Sequence, residues 1–455
     1  MFRKLCIANR GEVAVRIARA ARQAGARTMC VVSSADEGAP WTEEFDETVC
    51  IGGPAPGSSY LRADAVVQAA RQAGCSAVHP GWGFLAENAR FAALCEQHGL
   101  TFIGPRPSIM ERMGLKWPAK VAMRAAGLDL TPGSEGLLET VEEAVSVAES
   151  TGYPVILKAD AGGGGRGMRI CHSADEVRTE FPSARAEAIS AFGNGAMFLE
   201  KYVTGGRHIE FQVIGDSYGA AVHLYERECS IQRNHQKLIE ESPSPALDDA
   251  TRKALGERAA QAAASIGYTG AGTIEFLMHP EGEGATAGKL CFMEMNTRLQ
   301  VEHPVTEMVT GIDIVREQLR VAAAGPLGFT QQGVSLEGHA IECRINAEDP
   351  SDGFKPSPGK VDVFDIPLDQ GPGRVRVDTH MTEGAEVSPY YDSLIAKVIV
   401  HAATRADAIT TMENTLGAAR IEGIATTIPL HLAVLGSPEF RSGQYDTRTI
   451  PGWPA

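Results

Sequence analysis

The sequence predicts an α/β and α+β fold, in which a parallel-sheet N-terminal region precedes a middle region of antiparallel strands and a mixed C-terminal region. Two observations support this prediction. Strand-like and helix-like segments alternate over residues 3–103, which is the pattern of a parallel sheet. After the glycine-rich stretch at 158–168, apolar and polar residues alternate with a period of two in several segments, which is typical of antiparallel strands.

The N-terminal region opens with a short apolar strand and an alanine-rich amphipathic helix, and that order then repeats. The predicted strands are Lys4–Ala8, Arg27–Ser33, Ser76–His79 and Thr101–Ile103, and the predicted helices are Glu12–Gln23, Arg62–Gln72 and Glu87–His98. Parallel strands place ligand sites along their shared carboxyl edge. Asp36 stands where a dinucleotide-binding acid would, but Asn9–Glu12 lacks the pattern GxGxxG, so the sequence argues against NAD.

The middle region carries a glycine-rich loop directly after an apolar strand. Lys158 ends the run Tyr153–Lys158 and is followed by four consecutive glycines, Arg166 and a fifth glycine. Glycines let main-chain N–H groups approach an anion closely, and Lys158 and Arg166 supply the cations that phosphate oxygens attract. A flexible surface linker is the alternative, but the lysine at the strand end favours a phosphate-binding loop.

Two acids in a predicted hairpin indicate a metal site. Predicted strands at Gly272–Met278 and Lys289–Arg298 flank the loop His279–Gly288, and antiparallel pairing puts Glu275 across from Glu294. Opposed carboxylates repel unless a cation lies between them, and Asn296 adds a third oxygen on the same face. This donor set suits Mg²⁺, whereas a solvated hairpin edge is the alternative.

Further polar side chains are expected near these acids. If the second strand stays extended, Arg298, Gln300 and Glu302 continue the face of Glu294. A second cluster, 228–237, is expected to be extended, with Arg233, His235 and Lys237 sharing one face and offering donors to oxygen ligands. Main-chain groups at 200–203, the end of a predicted strand Met197–Lys201, are candidates for reading an adenine edge.

The C-terminal region, 331–455, is predicted to be mixed α+β. Strand-like segments occur at His339–Asn346, Gly373–Thr379 and Ile395–Val400, and a helix is predicted at Ala406–Gly417.

Charge and composition exclude several classes of protein. The formal net charge is −15, which argues against a nucleic-acid binder and requires local Lys and Arg clusters around any anionic ligand. The nine cysteines include no CxxC pair, as expected for reduced thiols in the cytoplasm. No apolar run reaches the ~18 residues of a membrane span, and no signal-peptide core follows Met1. We therefore expect a cytoplasmic protein that binds neither nucleic acid nor membrane.

Taken together, these motifs closely resemble biotin carboxylase, the ATP-grasp subunit of biotin-dependent carboxylases such as acetyl-CoA carboxylase. The resemblance covers nearly the whole chain. The matching motifs are Ile7–Glu12, His79–Gly81, Gly104–Pro105, Glu294–Pro304, Arg344–Asp349 and Tyr390–Ser393. It implies an N-terminal domain over 1–113, an ATP-grasp domain over 114–330 with a mobile lid at about 131–203, and a C-terminal domain over 331–455.

The resemblance also implies a role for individual residues. The implied ATP contacts are Lys116, Lys158, Gly164, Gly165, Glu200, Lys201, Tyr202, Val203, His208, Gln232, His235, Glu275 and Glu294. Glu275, Glu294 and Asn296 match the Mg²⁺ (or Mn²⁺) ligands, and Lys237, Arg298, Gln300 and Val301 match the bicarbonate pocket. Glu302 matches the base that deprotonates bicarbonate, and Arg344 matches the residue that stabilises the biotin enolate; with Lys237 and Arg298 they form the catalytic set.

The implied reaction is carboxylation of biotin by ATP and bicarbonate through carboxyphosphate. Because the sequence ends at Ala455 without a biotinyl-lysine motif, we expect a separate biotin carboxyl carrier protein and carboxyltransferase subunits. The resemblance also implies a homodimer. The sequence departs from the family at Trp82, where tyrosine is typical, and at Ala161, where glycine is typical. The alternatives are an ATP-grasp carboxylate–amine ligase that forms an acyl phosphate, and a nucleotide-sensing relative without catalysis.

Overall fold

A computed structural model describes residues 2–162, 167–280 and 288–454. The N-terminal part forms a parallel sheet in the strand order β3-β2-β1-β4-β5. Its elements are β1 (Lys4–Ile7), α1 (Gly11–Gln23), β2 (Arg27–Val32), β3 (Glu47–Cys50), α2 (Ala63–Gln72), β4 (Ala77–His79), α3 (Ala89–Gln97), β5 (Thr101–Phe102) and α4 (Pro107–Gly114). The predicted parallel sheet is confirmed, and β3, which the sequence analysis missed, adds an edge strand. All but one of its residues are exposed, so β3 lacks the apolar pattern that marks a strand.

The middle part contains a small sheet and the first five strands of a large sheet. Its elements are α5 (Lys116–Ala125), α6 (Val141–Thr151), β6 (Val155–Ala159), β7 (Met168–Cys171), α7 (Ala174–Phe192), β8 (Met197–Lys201), β9 (Arg207–Gly215), β10 (Ala221–Arg233), β11 (Gln236–Ser242), α8 (Asp249–Ser265), β12 (Gly270–Met278), β13 (Leu290–Asn296), α9 (His303–Thr310) and α10 (Ile314–Ala322). The small sheet is antiparallel in the order β7-β6-β8 and packs against α6 and α7.

The C-terminal part continues the large sheet. Its elements are β14 (His339–Asn346), β15 (Glu348–Asp349), β16 (Lys355–Pro356), β17 (Gly359–Lys360), β18 (Val363–Asp365), β19 (Arg374–Thr379), β20 (Glu386–Val387), β21 (Leu394–Ala402), α11 (Arg405–Ala418), β22 (Arg420–Glu422), α12 (Ile428–Gly436) and α13 (Pro438–Ser442). The large antiparallel sheet runs β13-β12-β9-β10-β11-β14-β21-β19, so β11 and β14 join the middle and C-terminal parts.

The alternation of side chains in β12 explains how the large sheet positions a site. Ile274 and Phe276 point into a core that they share with Leu255 and Ala259 of α8. Because neighbouring strand residues face opposite ways, Glu275 faces away from this core and lines a cavity. Among the described residues, no helix combines the length and the apolar character needed to cross a bilayer.

Candidate active site

A cavity of about 440 Å³ lies between the small sheet, the large sheet and the segment that follows β13. Most of the predicted site residues line it. They are Lys116, Lys158, Glu200, His208, Gln232, His235, Lys237, Glu275, Glu294, Asn296, Arg298, Gln300, Val301, Glu302 and Arg344. Residues from β6, β8, β9, β11, β12, β13 and β14 therefore meet in one chamber.

Several predicted nucleotide contacts lie apart from this lining. Lys201 Nζ donates to the main-chain oxygens of Gly152 at 3.0 Å and Tyr153 at 2.8 Å, so it ties β8 to the start of β6. The main-chain N–H groups of Lys201 and Tyr202 also donate within the protein. An adenine contact at 200–203 would therefore fall to the remaining main-chain groups, including those of Val203. Gly164 and Gly165 lie outside the described residues.

Cations cluster at the end of the cavity formed by α5, β6 and β8, which is called the nucleotide end because the predicted phosphate contacts lie there. Lys158 Nζ lies 2.6 Å from Glu200 Oε2, and Lys120 pairs with the other carboxylate oxygen. Lys116 Nζ donates to the main-chain oxygen of Gly162. Burial alone would raise the pKa of Glu200, but Lys158 and Lys120 lower that pKa to about 2. The sequence analysis missed Lys120, although its i,i+4 spacing from Lys116 on α5 was the available signal.

The hairpin β12–β13 brings two acids together as predicted. Glu275 and Glu294 are direct cross-strand partners, and Asn296 Nδ2 donates to Glu275 Oε1 at 2.8 Å. Burial and then the negative charge of Glu275 raise the pKa of Glu294. A divalent cation would relieve this repulsion, and two carboxylates with an amide oxygen are ligands that Mg²⁺ prefers. The donor set therefore fits the predicted metal.

His208, Glu210 and Glu275 form a second close group that could offer ligand atoms. His208 Nε2 lies 3.3 Å from Glu275 Oε2 and 3.6 Å from Glu210 Oε2. Burial lowers the pKa of His208, but the two carboxylates outweigh this effect and raise it to about 9. With no metal bound, the imidazole is therefore a cation between two acids.

Lys237 occupies the centre of the opposite end of the cavity. Its ammonium lies 2.5 Å from Glu210, 3.0 Å from Glu275 and 2.6 Å from Glu302. Burial disfavours the charged form, but the three carboxylates raise the pKa of Lys237 well above its usual value. Lys237 is therefore a permanent cation. Glu210, which the sequence analysis missed, is fully buried and also pairs with Arg227.

Glu302 is a buried carboxylate held by two cations. It accepts from Lys237 and, at 2.9 Å, from Arg344 Nη2. Burial raises its pKa, but Lys237 and Arg344 outweigh burial and the repulsion from Glu210, so the pKa of Glu302 is lowered. Glu302 is ionised near neutral pH and can take a proton from a ligand between Lys237 and Arg298.

The two arginines of the site are each anchored by an acid that the sequence analysis missed. Arg298 Nε donates to Glu87 Oε2 at 2.8 Å, and Arg344 Nε donates to Glu240 Oε1 at 2.6 Å. Burial raises the pKa of Glu240 to about 7, an effect that the nearby Glu302 reinforces and Arg344 opposes. Glu240 follows the apolar pair Leu238–Ile239 in β11, but Glu241 and Ser242 come directly after it, so no clear pattern marked it.

The predicted extended cluster at 228–237 is wrong in its conformation. β10 and β11 form a hairpin in which Gln232 pairs with Lys237 and Arg233 pairs with Gln236. Asn234 and His235 have φ values of 49° and 65°, so the chain reverses through the left-handed region at these residues. Arg233 consequently leaves the main cavity and stacks over Phe354 at 4.0 Å.

The strand that carries Glu294 also ends earlier than predicted. β13 stops at Asn296, and residues 297–302 form turns and irregular structure before α9. Arg298, Gln300 and Glu302 still line the same cavity. Trp82 lines this cavity too, and its indole Nε1 donates to Glu12 Oε1 at 3.0 Å.

Comparison with known proteins places this geometry in a family. Residues 1–110 and 342–452 match the models of the biotin carboxylase N-terminal and C-terminal domains, and residues 116–330 match that of the carbamoyl-phosphate synthase L chain ATP-binding domain. Biotin carboxylase 1 of Bacillus subtilis is 50% identical over 99% of this chain and 98% of its own length. A pyruvate carboxylase subunit of Methanothermobacter thermautotrophicus is 47% identical over 99% of this chain and 90% of its own.

A solved structure shows the same architecture. The biotin carboxylase domain dimer of Hydrogenobacter thermophilus 2-oxoglutarate carboxylase, in complex with MgADP, ADP and bicarbonate, is 47% identical. It superposes with a TM-score of 0.92 and covers 98% of this chain and 97% of its own. The mixed fold, the cavity and these full-length matches agree, and this chain belongs to the biotin carboxylase family.

Proposed function

We propose that this protein carboxylates biotin on a carrier protein with ATP and bicarbonate, which is the first half-reaction of a biotin-dependent carboxylase. The observation that supports this most directly is the buried array Lys237–Glu302–Arg344. It joins an ionised base to a cation on each side, within the chamber that also holds the lysines of the nucleotide end.

Bicarbonate is a poor nucleophile until it loses its proton. We assign Glu302 as the base, and we assign Lys237 and Arg298, with Gln300 and Val301, to holding the resulting dianion. A carbonate oxygen then attacks the γ-phosphorus of ATP, and ADP leaves as carboxyphosphate forms. Lys116 and Lys158 neutralise the charge of the phosphates, and the cation that Glu275, Glu294 and Asn296 would hold supplies further neutralisation of the transferring phosphoryl group.

Carboxyphosphate breaks down to CO2 and phosphate next to biotin. The phosphate removes the proton from N1 of the ureido ring, and N1 attacks CO2. We assign Arg344 to stabilise the negative charge that develops on the ureido oxygen, and the position of its guanidinium beside Glu302 supports this assignment. The region 131–203, which contains the small sheet, would close over the phosphates and limit hydrolysis of carboxyphosphate. We also propose a division into three domains, with boundaries at 113/114 and 330/331.

We propose a separate biotin carboxyl carrier protein and a carboxyltransferase as partners, and a homodimer like that of the Hydrogenobacter relative. Two of the relatives belong to enzymes with different final acceptors, a pyruvate carboxylase and a 2-oxoglutarate carboxylase. We therefore propose that another polypeptide selects the final acceptor. All nine cysteines are free thiols, which agrees with the predicted cytoplasmic location. Isolation of the biotinylated protein that co-purifies with this chain would identify the partners.

The decisive assay is ATP cleavage with and without bicarbonate. The proposal predicts release of ADP that requires bicarbonate, increases with free biotin and yields carboxybiotin. A carboxylate–amine ligase would instead require an amine and ignore biotin. Tight ATP binding without turnover would indicate a sensor.

A further inference from the structure

Lys397, which has no role in the reaction described above, joins three parts of the chain at one buried ammonium. It lies in β21 with a relative exposure of 0%. Its Nζ donates to the main-chain oxygen of Val301 at 3.0 Å and lies 3.0 Å from Glu12 Oε2. Asp378 Oδ2 on β19 is 3.9 Å away. Burying an ammonium is costly, so these contacts have to compensate for a large loss of hydration.

The bond to Val301 acts on the peptide that leads into Glu302. A peptide unit is planar, so a contact that fixes the oxygen of Val301 also fixes the plane that carries the Glu302 N–H and Cα. The surrounding segment, 297–302, belongs to neither a strand nor a helix. Glu302 is the N-cap of α9, and Lys397 holds the peptide that precedes this helix on its other side, through the oxygen of Val301.

The second contact of Lys397 leads to the wall of the cavity. Glu12, in the first turn of α1, takes Lys397 on one oxygen and Trp82 Nε1 on the other. Trp82 borders the main cavity and a smaller one lined by Arg344. Arg344 is itself the direct cross-strand partner of Lys397. Lys397 is thus linked directly to the Val301–Glu302 peptide, beside the proposed bicarbonate pocket, and through Glu12 to Trp82, beside the proposed biotin site.

We propose that Lys397 is a positioning residue, which keeps the Val301–Glu302 peptide and, through Glu12, the Trp82 indole at a fixed separation across the cavity. This inference rests on the proposed function. A purely structural role, in which the Glu12–Lys397 pair only joins the N-terminal and C-terminal parts, is the competing explanation.

The double variant E12Q/K397M separates the two explanations. Replacing both members of a buried ion pair with neutral side chains of similar size is often neutral for stability, whereas removing one member leaves an unpaired charge. Asp378 keeps its two contacts to Arg376. The double variant retains an amide beside Trp82 but has no donor for the oxygen of Val301.

If Lys397 positions the base, the double variant keeps its thermal midpoint within a few degrees and its KM for ATP, while kcat for biotin-stimulated ATP cleavage falls about ten- to hundred-fold. A matched control is E226Q/R252M, which removes a buried pair of 2.7 Å between β10 and α8, away from the cavity. A double variant with wild-type kcat overturns the proposal, as does a loss of kcat that the control reproduces.

The single variant E12Q provides a second test if the double variant does not fold, because Asp378, 3.9 Å away, remains as a carboxylate partner for Lys397. Its neutral amide weakens the link to Trp82 while Lys397 still donates to Val301, so KM for biotin should change more than kcat for biotin-free ATP cleavage. Equal changes contradict the proposal. A wild-type protein without bicarbonate-dependent ATP cleavage would instead contradict the proposed function, and the inference with it.

Discussion

The two ends of the cavity differ in their balance of charge. At the nucleotide end, Lys120 and Lys158 share the single carboxylate of Glu200, and Lys116 contacts only a neutral carbonyl group in the hydrogen bonds described above. At the opposite end, called the base end because it contains Glu302, the ammonium of Lys237 lies among Glu210, Glu275 and Glu302. One end therefore has an excess of cations, whereas at the other end the carboxylates are matched by cations, since Arg227 pairs with Glu210 and Arg344 pairs with Glu302.

This difference indicates how each end treats its ligand. Under the proposed function, the lysines of the nucleotide end attract phosphate even though the whole chain carries a formal charge of −15. At the base end, the cations are already paired with acids, and under the proposed function they exchange partners when bicarbonate binds. Proton removal and metal binding both require ionised carboxylates, and this end supplies them.

Substitution of the base should have the largest effect. In Glu302→Gln, the amide oxygen can still accept from Lys237, but the side chain can no longer take a proton. We expect kcat for bicarbonate-dependent ATP cleavage to fall about 10²- to 10⁴-fold, with ATP affinity within about threefold of wild type. Steady-state kinetics and titration calorimetry with ATP measure the two quantities.

The control for this prediction is Glu386→Gln, which removes an exposed carboxylate on β20. It should leave both quantities unchanged. If Glu302→Gln weakens ATP binding as much as turnover, the two ends are not separate in function and the assignment of the base is wrong.

Substitution at the nucleotide end should have a smaller effect, and it should change KM for ATP rather than kcat. Lys158→Gln removes one of the two ammonium groups on Glu200 and a partner for phosphate. We expect KM for ATP to rise about tenfold, equivalent to about 1.4 kcal/mol, with KM for bicarbonate unchanged. Lys253→Gln, on the exposed face of α8, is the matched control. A parallel rise in the KM for bicarbonate would show that Lys158 acts on both ligands.

Local patterns predicted the parts of the site that lie close together in the sequence. The period of two placed Glu275 opposite Glu294, and the strip from Arg298 to Glu302 lies along one cavity although its extended conformation ends at Asn296. The same period failed at 228–237, because two residues in the left-handed region turn the chain back. Alternation cannot reveal such a turn when the residues involved are not glycines.

The anchoring acids could not be predicted from local patterns. Glu87 is 211 residues from its partner Arg298, and Glu12 contacts Lys397 across most of the chain. Such pairs depend on how sheets and helices assemble, and no spacing rule connects them. The joining of β11 to β14, which turns two predicted regions into one sheet, was missed for the same reason.

Glu240 and Glu241 are neighbours on β11, and substitution of Glu241 should have the smallest effect on activity. Glu240 accepts from Arg344, which lines the cavity, whereas Glu241, on the other face, accepts from His339 at 2.6 Å and from Arg405. Burial raises the pKa of Glu241, but His339 and Arg405 outweigh it and lower the pKa from 4.5 to about 2. Glu241 thus accepts from two side chains, His339 and Arg405, whereas its neighbour Glu240 accepts from Arg344.

Because the folded-state pKa of Glu241 lies below its unfolded value, its contribution to stability is present above pH 4.5 and is lost as the pH falls towards 2. At pH 7, Glu241→Gln should lower the free energy of unfolding by about 3 kcal/mol without changing kcat. Chemical denaturation between pH 6 and pH 3 should show the difference from wild type shrinking below pH 4.5. A difference that stays constant over this range would mean that packing or hydrogen bonds to the neutral acid, rather than ion pairing, account for the role of Glu241.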